Sequence, residues 1–393
     1  MKILFVSPNL VYINPTQSLL PIALGMKADI FCYGNGYVSD ELLEQGIDRF
    51  VDAIGGVDLI VSSLYFAKDY TAERINAGLK NYAGYSKRFS VSDKVLADIK
   101  GYLRRNRTRV VVSFLDSDIF ASSQQNLDSI SAHGKYYLGP GTGSFSLKGA
   151  SAEKYVHTKL KKGDVLGLYD NFAEDNKQYI INLQHIVADN EFFWQQLFLR
   201  PYDLTIPGSA YYRRAELYKF VKSISGVRVA RKSYEYLYKA ADRLGLRPYA
   251  NYYLVKLYNM AFQQRLVNSK MCVTDGGLIA FTVRKYFEIP ATGALMACWK
   301  TSNSAELGFE DGISCLELDS FSQVRDYAMD VSKHPEKYQD IATAGQRMVM
   351  NSHSLTARSD QIYQSLQRIK QETFSGSSWV TGKFHLLEPS KSE

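Results

Sequence analysis

In the segment TDGGLIAFTVRKYFE (274–288), a glycine turn, two cations and a carboxylate fall within fifteen residues. Asp275-Gly276-Gly277 reads as a turn that ends a strand and opens a helix. Its glycines let a ligand approach the backbone, and the free N–H groups of a helix start favour phosphate. Arg284 and Lys285 follow two turns on, and Glu288 stands four residues after Arg284 on the same helix face. Pro290 then interrupts the helix, and Gly293 suits the turn into the apolar run ALMACW (294–299). Glu288 therefore sits where a helix gives way to a buried strand. A carboxylate there needs a partner, in the protein or in a ligand. A nucleoside diphosphate would use the whole set: phosphate oxygens for Arg284, Lys285 and the helix start, and two ribose hydroxyls for Glu288. An Arg284–Glu288 pair on a solvated face, contributing about 0.2–0.5 kcal/mol, explains the same spacing without a ligand.

Other residues compete for chemistry. Gly208 in PGSAYYRR (207–214) opens a helix, from which Arg213 or Arg214 could reach a diphosphate. Asp116, which closes the strand VVVSFLD (110–116), and Asp118 just after it are placed for acceptor contact or general-base work. They spell a DxD pair, but in the N-terminal half, and no donor-side carboxylate pair suggests a metal site. His157 and His185 lie in the polar middle, where a base could enter a cleft; a lone His is more often structural. His353 and Arg358 in HSLTAR read as structural residues that fix the last helix. The glycine-rich stretch 136–154 has only a faint phosphate-loop look, since no clear helix follows it.

Short Val/Ile-rich runs alternate with helical periods. The strands are expected at 2–7, 28–34, 57–66 and 107–116, with helices over 39–55 and 91–106. A second series restarts at YDLTIPG (202–208). It continues through a helix over 209–225, a strand in 226–233, a helix over 253–269 and a strand in 270–277. A helix over 278–288, the strand 294–299, a short helix over 304–309 and the strand 312–318 follow. Such alternation predicts parallel sheets covered on both faces. The pattern divides the chain into residues 1–200, residues 201–373 and a loosely ordered tail over 374–393. Clefts between such units are favoured ligand sites.

The chain has 393 residues, a formal charge of +7 and 22% charged residues. The positive balance favours anionic partners without choosing among them. Two basic stretches stand out. LRRNRTR (103–109) carries four arginines and reads as a solvated helix end or a dock for anionic lipid or nucleic acid. KSYEYLYKAADRLGLRPYANYYLVKLY (232–258) interleaves Tyr with cations at helical spacing, which predicts packing first and sugar or polyanion stacking second. The four cysteines are scattered without metal spacing, and the N-terminal apolar run is too short for a signal segment. With no apolar run long enough to span a bilayer, a cytoplasmic chain with reduced thiols is expected.

The stretch from VNSKMCVTDGG through RKYFEIPATGAL, FEDG, HPEKY and AGQRM to HSLTAR (267–358) resembles the C-terminal domain of the CgeB-like (spore-maturation type) glycosyltransferases. The motifs occur in the same order; the first 200 residues match only in general βα character. The resemblance implies a GT-B fold, two Rossmann-like domains with the donor nucleotide held by the second. It also implies a glycosyltransferase that moves a sugar from a nucleotide-diphosphate donor to a hydroxyl acceptor on a glycan, lipid or protein. Metal-independent transfer with retention is expected, with no cofactor beyond the donor. In related retaining enzymes a Glu at the position of Glu288 holds the ribose, and an acidic residue stands seven positions earlier. Here that position is Phe281, a departure from the pattern. FEIPATGALMACWK also resembles, more faintly, the phage DNA-base glucosyltransferases. An epimerase or a non-catalytic nucleotide-sugar binder on the same fold is a further alternative.

Overall fold

The computed structural model describes residues 1–8, 19–79, 90–114, 123–142, 144, 164–208, 212–230, 233–246, 251–276 and 281–389. The first sheet contains β1 (Lys2–Val6), β2 (Asp29–Tyr33), β3 (Leu59–Ser63), β4 (Val110–Ser113), β5 (Tyr136–Gly139) and β6 (Ile180–Asn182). Its order is β2-β1-β3-β4-β5-β6, and every neighbouring pair is parallel. Strands β3, β4 and β5 are buried along their whole length, which is why they read as continuous apolar runs rather than alternating ones.

The second sheet contains β7 (Tyr202–Thr205), β8 (Ser269–Thr274), β9 (Leu295–Cys298) and β10 (Leu316–Glu317), again parallel. The short strand expected at 226–233 forms only a bridge, Leu204 to Val229, but it lies along the free edge of β7. There the Asp203 N–H donates to Arg228 O at 2.9 Å and the Ala230 N–H donates to Leu204 O at 2.9 Å. The chain thus runs outward on one side of β7 and returns to β8 on the other. The gap between β7 and β8 is a topological switch point, where open α/β sheets leave a crevice at the strands' carboxyl ends. The chain is α/β with two Rossmann-like parallel units, the GT-B layout.

The units share an apolar core. Ile3, Phe5 and Leu183 of the first meet Tyr286, Phe287 and Met296 of the second in one buried cluster. The last helix, Leu355–Lys370, lies back against the first unit. Its Ser359 hydroxyl donates to Ile22 O at 3.0 Å, and Lys370 pairs with Asp58 at 3.0 Å. Gly25 permits this approach: a Cβ there would stand 2.5 Å from the Ser359 hydroxyl.

Three expectations are corrected. The tail does not hang loose: β11 (Ser377–Val380) and β12 (Lys383–Leu386) form an antiparallel hairpin seated on β6. The Asn182 N–H donates to the Ser377 hydroxyl at 2.7 Å, and the Trp379 indole N–H donates to Asn182 O at 2.7 Å. An apolar Trp that can satisfy its one donor anchors a segment whose composition otherwise reads as polar. Second, the helix expected over 278–288 begins only at Lys285 and runs to Ala291. Thr282 is held outside it, its hydroxyl bonded to Thr301 and Asn303. Third, residues 304–309 form turns rather than a short helix.

Two buried histidines are held neutral by the same device. His133 Nδ1 donates to Ser129 O at 2.6 Å while Nε2 accepts from Arg104 at 3.1 Å. His353 Nε2 donates to Leu307 O at 2.9 Å while Nδ1 accepts from Arg358 at 2.7 Å. With an Arg facing one nitrogen and a carbonyl the other, there is no room for a second proton. Burial is the main cause that pushes both imidazoles below the ordinary value of 6.5, and the adjacent arginine adds to it. The unfolded chain binds protons that the folded chain refuses, so stability is full above about pH 6.5 and falls as pH drops below it. Each histidine is expected to lower stability as the pH falls through that range, by at most about 1.4 kcal/mol per pH unit. Urea unfolding at pH 7, 6 and 5 checks this; a midpoint that does not move between pH 7 and 5 contradicts it.

Candidate functional site

At the β7–β8 switch point, residues from both strand ends converge. β7 leads through Ile206 and Pro207 to Gly208, whose φ is +87°. A Cβ at Gly208 would overlap the Lys285 Cε and lie 2.8 Å from Arg214 Nη1 and 3.0 Å from Lys285 Nζ. Glycine is required here both for its backbone angle and to let two cations lie on the loop. β8 leads to Asp275, which accepts from Arg214 Nε at 2.8 Å with both side chains buried. Arg213, also buried, places its guanidinium 4.8 Å from the centroid of the Trp299 ring, beyond the end of β9. The Phe281 N–H donates to Gly276 O at 3.1 Å.

Lys285 is the least committed of these cations. It is half-buried, and among the described residues its Nζ has no ion-pair partner. Burial pulls its pKa below the ordinary lysine value; Glu288 and Asp275 oppose the shift, while Arg214 and Arg284 add to it. A charge desolvated in this way, beside two arginines and above a glycine, is prepared for an anion.

Arg284 and Glu288 differ from the sequence expectation. Glu288 is not left without an internal partner: Arg284 Nη1 donates to its Oε1. Arg284 Nη2 also grips both oxygens of Glu191, at 2.6 and 2.8 Å, and its Nε donates to Ile186 O at 3.2 Å. The guanidinium thereby ties the 186–191 connection to the helix Lys285–Ala291, and it is committed as a structural clamp rather than directed at a diphosphate. Glu288 keeps its Oε2 outside this pair, and its side chain is 13% exposed.

His185 comes from the connection after β6 and stands beside the same helix, its ring 5.7 Å from that of Phe281 and 6.3 Å from that of Phe287. Burial first, then Arg284, Lys285 and Arg358, push its pKa down to about 3, so it is neutral at pH 7. Phe281 is buried with the apolar core of the first unit, which explains an aromatic at a position where the resembled enzymes carry an acid. Ser144, from the glycine-rich stretch, is buried against the second unit. Its carbonyl accepts from Ser302 at 3.0 Å and its hydroxyl from Asn303 and Gln184 at 3.3 Å each. Glu191, Ser144 and Asn303 carried no motif; only contact across the chain reveals them. Asp116, Asp118, Gly277 and His157 lie outside the described residues. Among the described residues no cluster of three or more His, Cys, Asp or Glu could hold a metal ion, and no helix is long and apolar enough to cross a membrane.

Residues 202–364 match the family model described as glycosyl transferase-like. The match spans 163 of the 393 residues, from β7 into the last helix. No curated protein sequence matches the chain. Among solved structures, Anabaena Alr3699/HepE in complex with UDP and glucose is similar at 12% identity and a TM-score of 0.49, covering 93% of this chain and 99% of its own. A sucrose-phosphate synthase from Thermosynechococcus elongatus is similar at 10% identity and a TM-score of 0.46, covering 94% and 99%. A DNA-modifying β-glucosyltransferase is similar at 11% identity and a TM-score of 0.49, covering 94% and 100%.

Proposed function

We propose that the chain transfers a sugar from a nucleoside-diphosphate donor to a hydroxyl acceptor, with the donor held at the β7–β8 switch point. The observation that carries this reading is Lys285, a desolvated cation folded over Gly208 between Arg214 and Glu288. In this reading the leaving diphosphate lies over Gly208. Lys285 donates to it, and Arg213 and Arg214, held by Trp299 and Asp275, supply the positive field around it. Such donors are set before the reaction and stabilise the charge that grows as the glycosidic bond breaks. Glu288 Oε2 accepts from a ribose hydroxyl while Oε1 stays on Arg284.

Three charges in place of a divalent cation make transfer independent of metal in this proposal. Turnover is expected to persist in excess chelator; activity that disappears on chelation and returns with manganese or magnesium contradicts it. Retention of configuration rests on the resemblance around Glu288 and is read from the anomeric form of the product.

Glu288→Gln tests the ribose assignment. The amide weakens acceptance from a hydroxyl, and hydrogen bonds to a charged group contribute about 1.5–3 kcal/mol, so nucleotide affinity falls roughly ten- to a hundredfold. The variant also loses an ion pair to Arg284, which Glu191 still holds; a modest drop in melting temperature therefore accompanies the loss. Calorimetric titration shows which effect dominates, and unchanged affinity beside a lower melting temperature removes Glu288 from the site.

A further inference from the structure

Trp194 is 62% exposed, whereas the chain's other tryptophans, Trp299 and Trp379, are 3% and 4% exposed. It stands in the connection between the sheets and rims a hollow of about 290 Å³, walled otherwise by Gln195, Gln196, Gly293, Gln339, Thr343 and Gln346. That volume is at the small end of ligand sites, with room for a ring rather than an extended chain. None of these walls carries a charge, although the chain as a whole is +7. The hollow is remote from the switch-point crevice. Gly293 precedes β9 at the amino end of the second sheet, and Asp275 follows β8 at the carboxyl end. The four residues of β9 alone set the two ends about 10 Å apart.

Local structure aims polar atoms into this space. Gln339, Thr343 and Gln346 follow one another in steps of four and three on one face of the helix Gln339–His353. Gln346 is 2% exposed, and its Nε2 donates to Phe193 O at 2.7 Å and to Ala291 O at 2.8 Å. Two carbonyls on the nitrogen fix which way the amide points. Its Oε1 has no partner among the described residues and opens on the hollow. Thr343 Oγ1 accepts from Gln339 Nε2 at 3.1 Å, and among the described residues its own proton has no acceptor. The floor is rigid. Arg200 Nη2 donates to Gln195 O at 3.1 Å and Thr292 O at 2.6 Å, and its Nη1 donates to Leu266 O and Ser269 O. Gly293, with φ at +69°, permits this approach: a Cβ there would stand 3.0 Å from Arg200 Nη2 and 3.1 Å from Phe193 O.

An exposed indole beside uncharged donors and acceptors selects among ligands. A phosphate, carboxylate or ammonium group would find no counter-charge on these walls. A wholly apolar ligand would leave the Gln346 carbonyl covered and without a donor. A sugar ring matches both features: a face of C–H groups for the indole, and hydroxyls that donate and accept for the amides and the threonine. We propose that this hollow is a glycan site separate from the donor crevice, which holds one ring of a neutral oligosaccharide. The ring stacks on Trp194, one hydroxyl donates to Gln346 Oε1, and another oxygen accepts from the Thr343 hydroxyl. A glycan held there is anchored to the protein without occupying the switch point. The site does not depend on the proposed reaction, and its test needs no nucleotide.

The test is ligand-observed NMR titration of the full chain with maltotriose, cellotriose, mannotriose and triacetylchitotriose, beside Trp194→Ala and Trp194→Phe. Trp194 is exposed, so both variants should melt as the parent does. At least one probe is expected to bind the parent with a dissociation constant of about 10 mM or tighter. Trp194→Ala should weaken that binding at least about tenfold, and Trp194→Phe, which keeps an aromatic face, should recover much of the loss. No binding of any probe at about 20 mM, or binding equal in the parent and the Ala variant, overturns the proposal. So does a self-association in sedimentation velocity that Trp194→Ala abolishes while sugar binding stays unchanged. That result assigns Trp194, with the exposed Phe198 and Leu199 that follow it, to a second copy.

Discussion

Replacing Trp379 with Ala should lower the unfolding free energy by about 3–5 kcal/mol, the range for emptying a large aromatic site in a core. The indole is 4% exposed. It stacks on His353 at 4.8 Å between centroids, carries the Arg358 guanidinium 4.5 Å from its ring, and donates to Asn182 O. Ala would empty the cavity, leave a carbonyl of β6 without its donor and take the aromatic face from a buried arginine. Trp379→Phe separates the contributions. It keeps a ring against His353 and loses only the N–H, at a cost of about 0.5–1.5 kcal/mol plus whatever the smaller ring leaves unfilled. Urea unfolding of the three proteins at pH 7 checks the order. If Ala costs less than about 1 kcal/mol, the hairpin is an appendage and its place in the core is wrong.

Lys285→Met should act on binding and not on folding. Met keeps the unbranched length and removes the charge. Because burial already disfavours that charge in the folded chain, its loss should leave the melting temperature unchanged or raise it. Nucleoside-diphosphate affinity should fall about ten- to a hundredfold, the effect of one hydrogen bond to a charged group. A purely structural lysine predicts the reverse pair, lower stability and intact affinity. Melting curves and calorimetric titrations on the same preparations distinguish them.

Much of the fold was legible because its signals are local. Fully buried parallel strands leave unbroken Val/Ile runs, as in β3 and β4, and the restart at β7 announces a second unit. The tail was misread because one Trp in a polar context carries its docking, and its partners Asn182 and His353 are distant in sequence. The site was legible in part. The glycine and cation types at Gly208, Arg214 and Lys285 follow from strand-to-helix turns, and the structure brings them together. The division of labour between Arg284 and Lys285 was not legible. It depends on Glu191, which reaches Arg284 from the connection between the sheets and claims it. The helix start was misplaced because Thr282 is restrained by Thr301 and Asn303, a contact that no local propensity encodes.

The central claim is that a donor diphosphate lies at the β7–β8 switch point. Crystals of the protein soaked in turn with uridine, adenosine, guanosine, cytidine and thymidine diphosphates test it most directly. The account predicts, for at least one of them, density for the diphosphate over Gly208 within hydrogen-bond reach of Lys285 Nζ, with the ribose against Glu288. A diphosphate bound in full occupancy elsewhere, or none bound at saturating concentration, would contradict it.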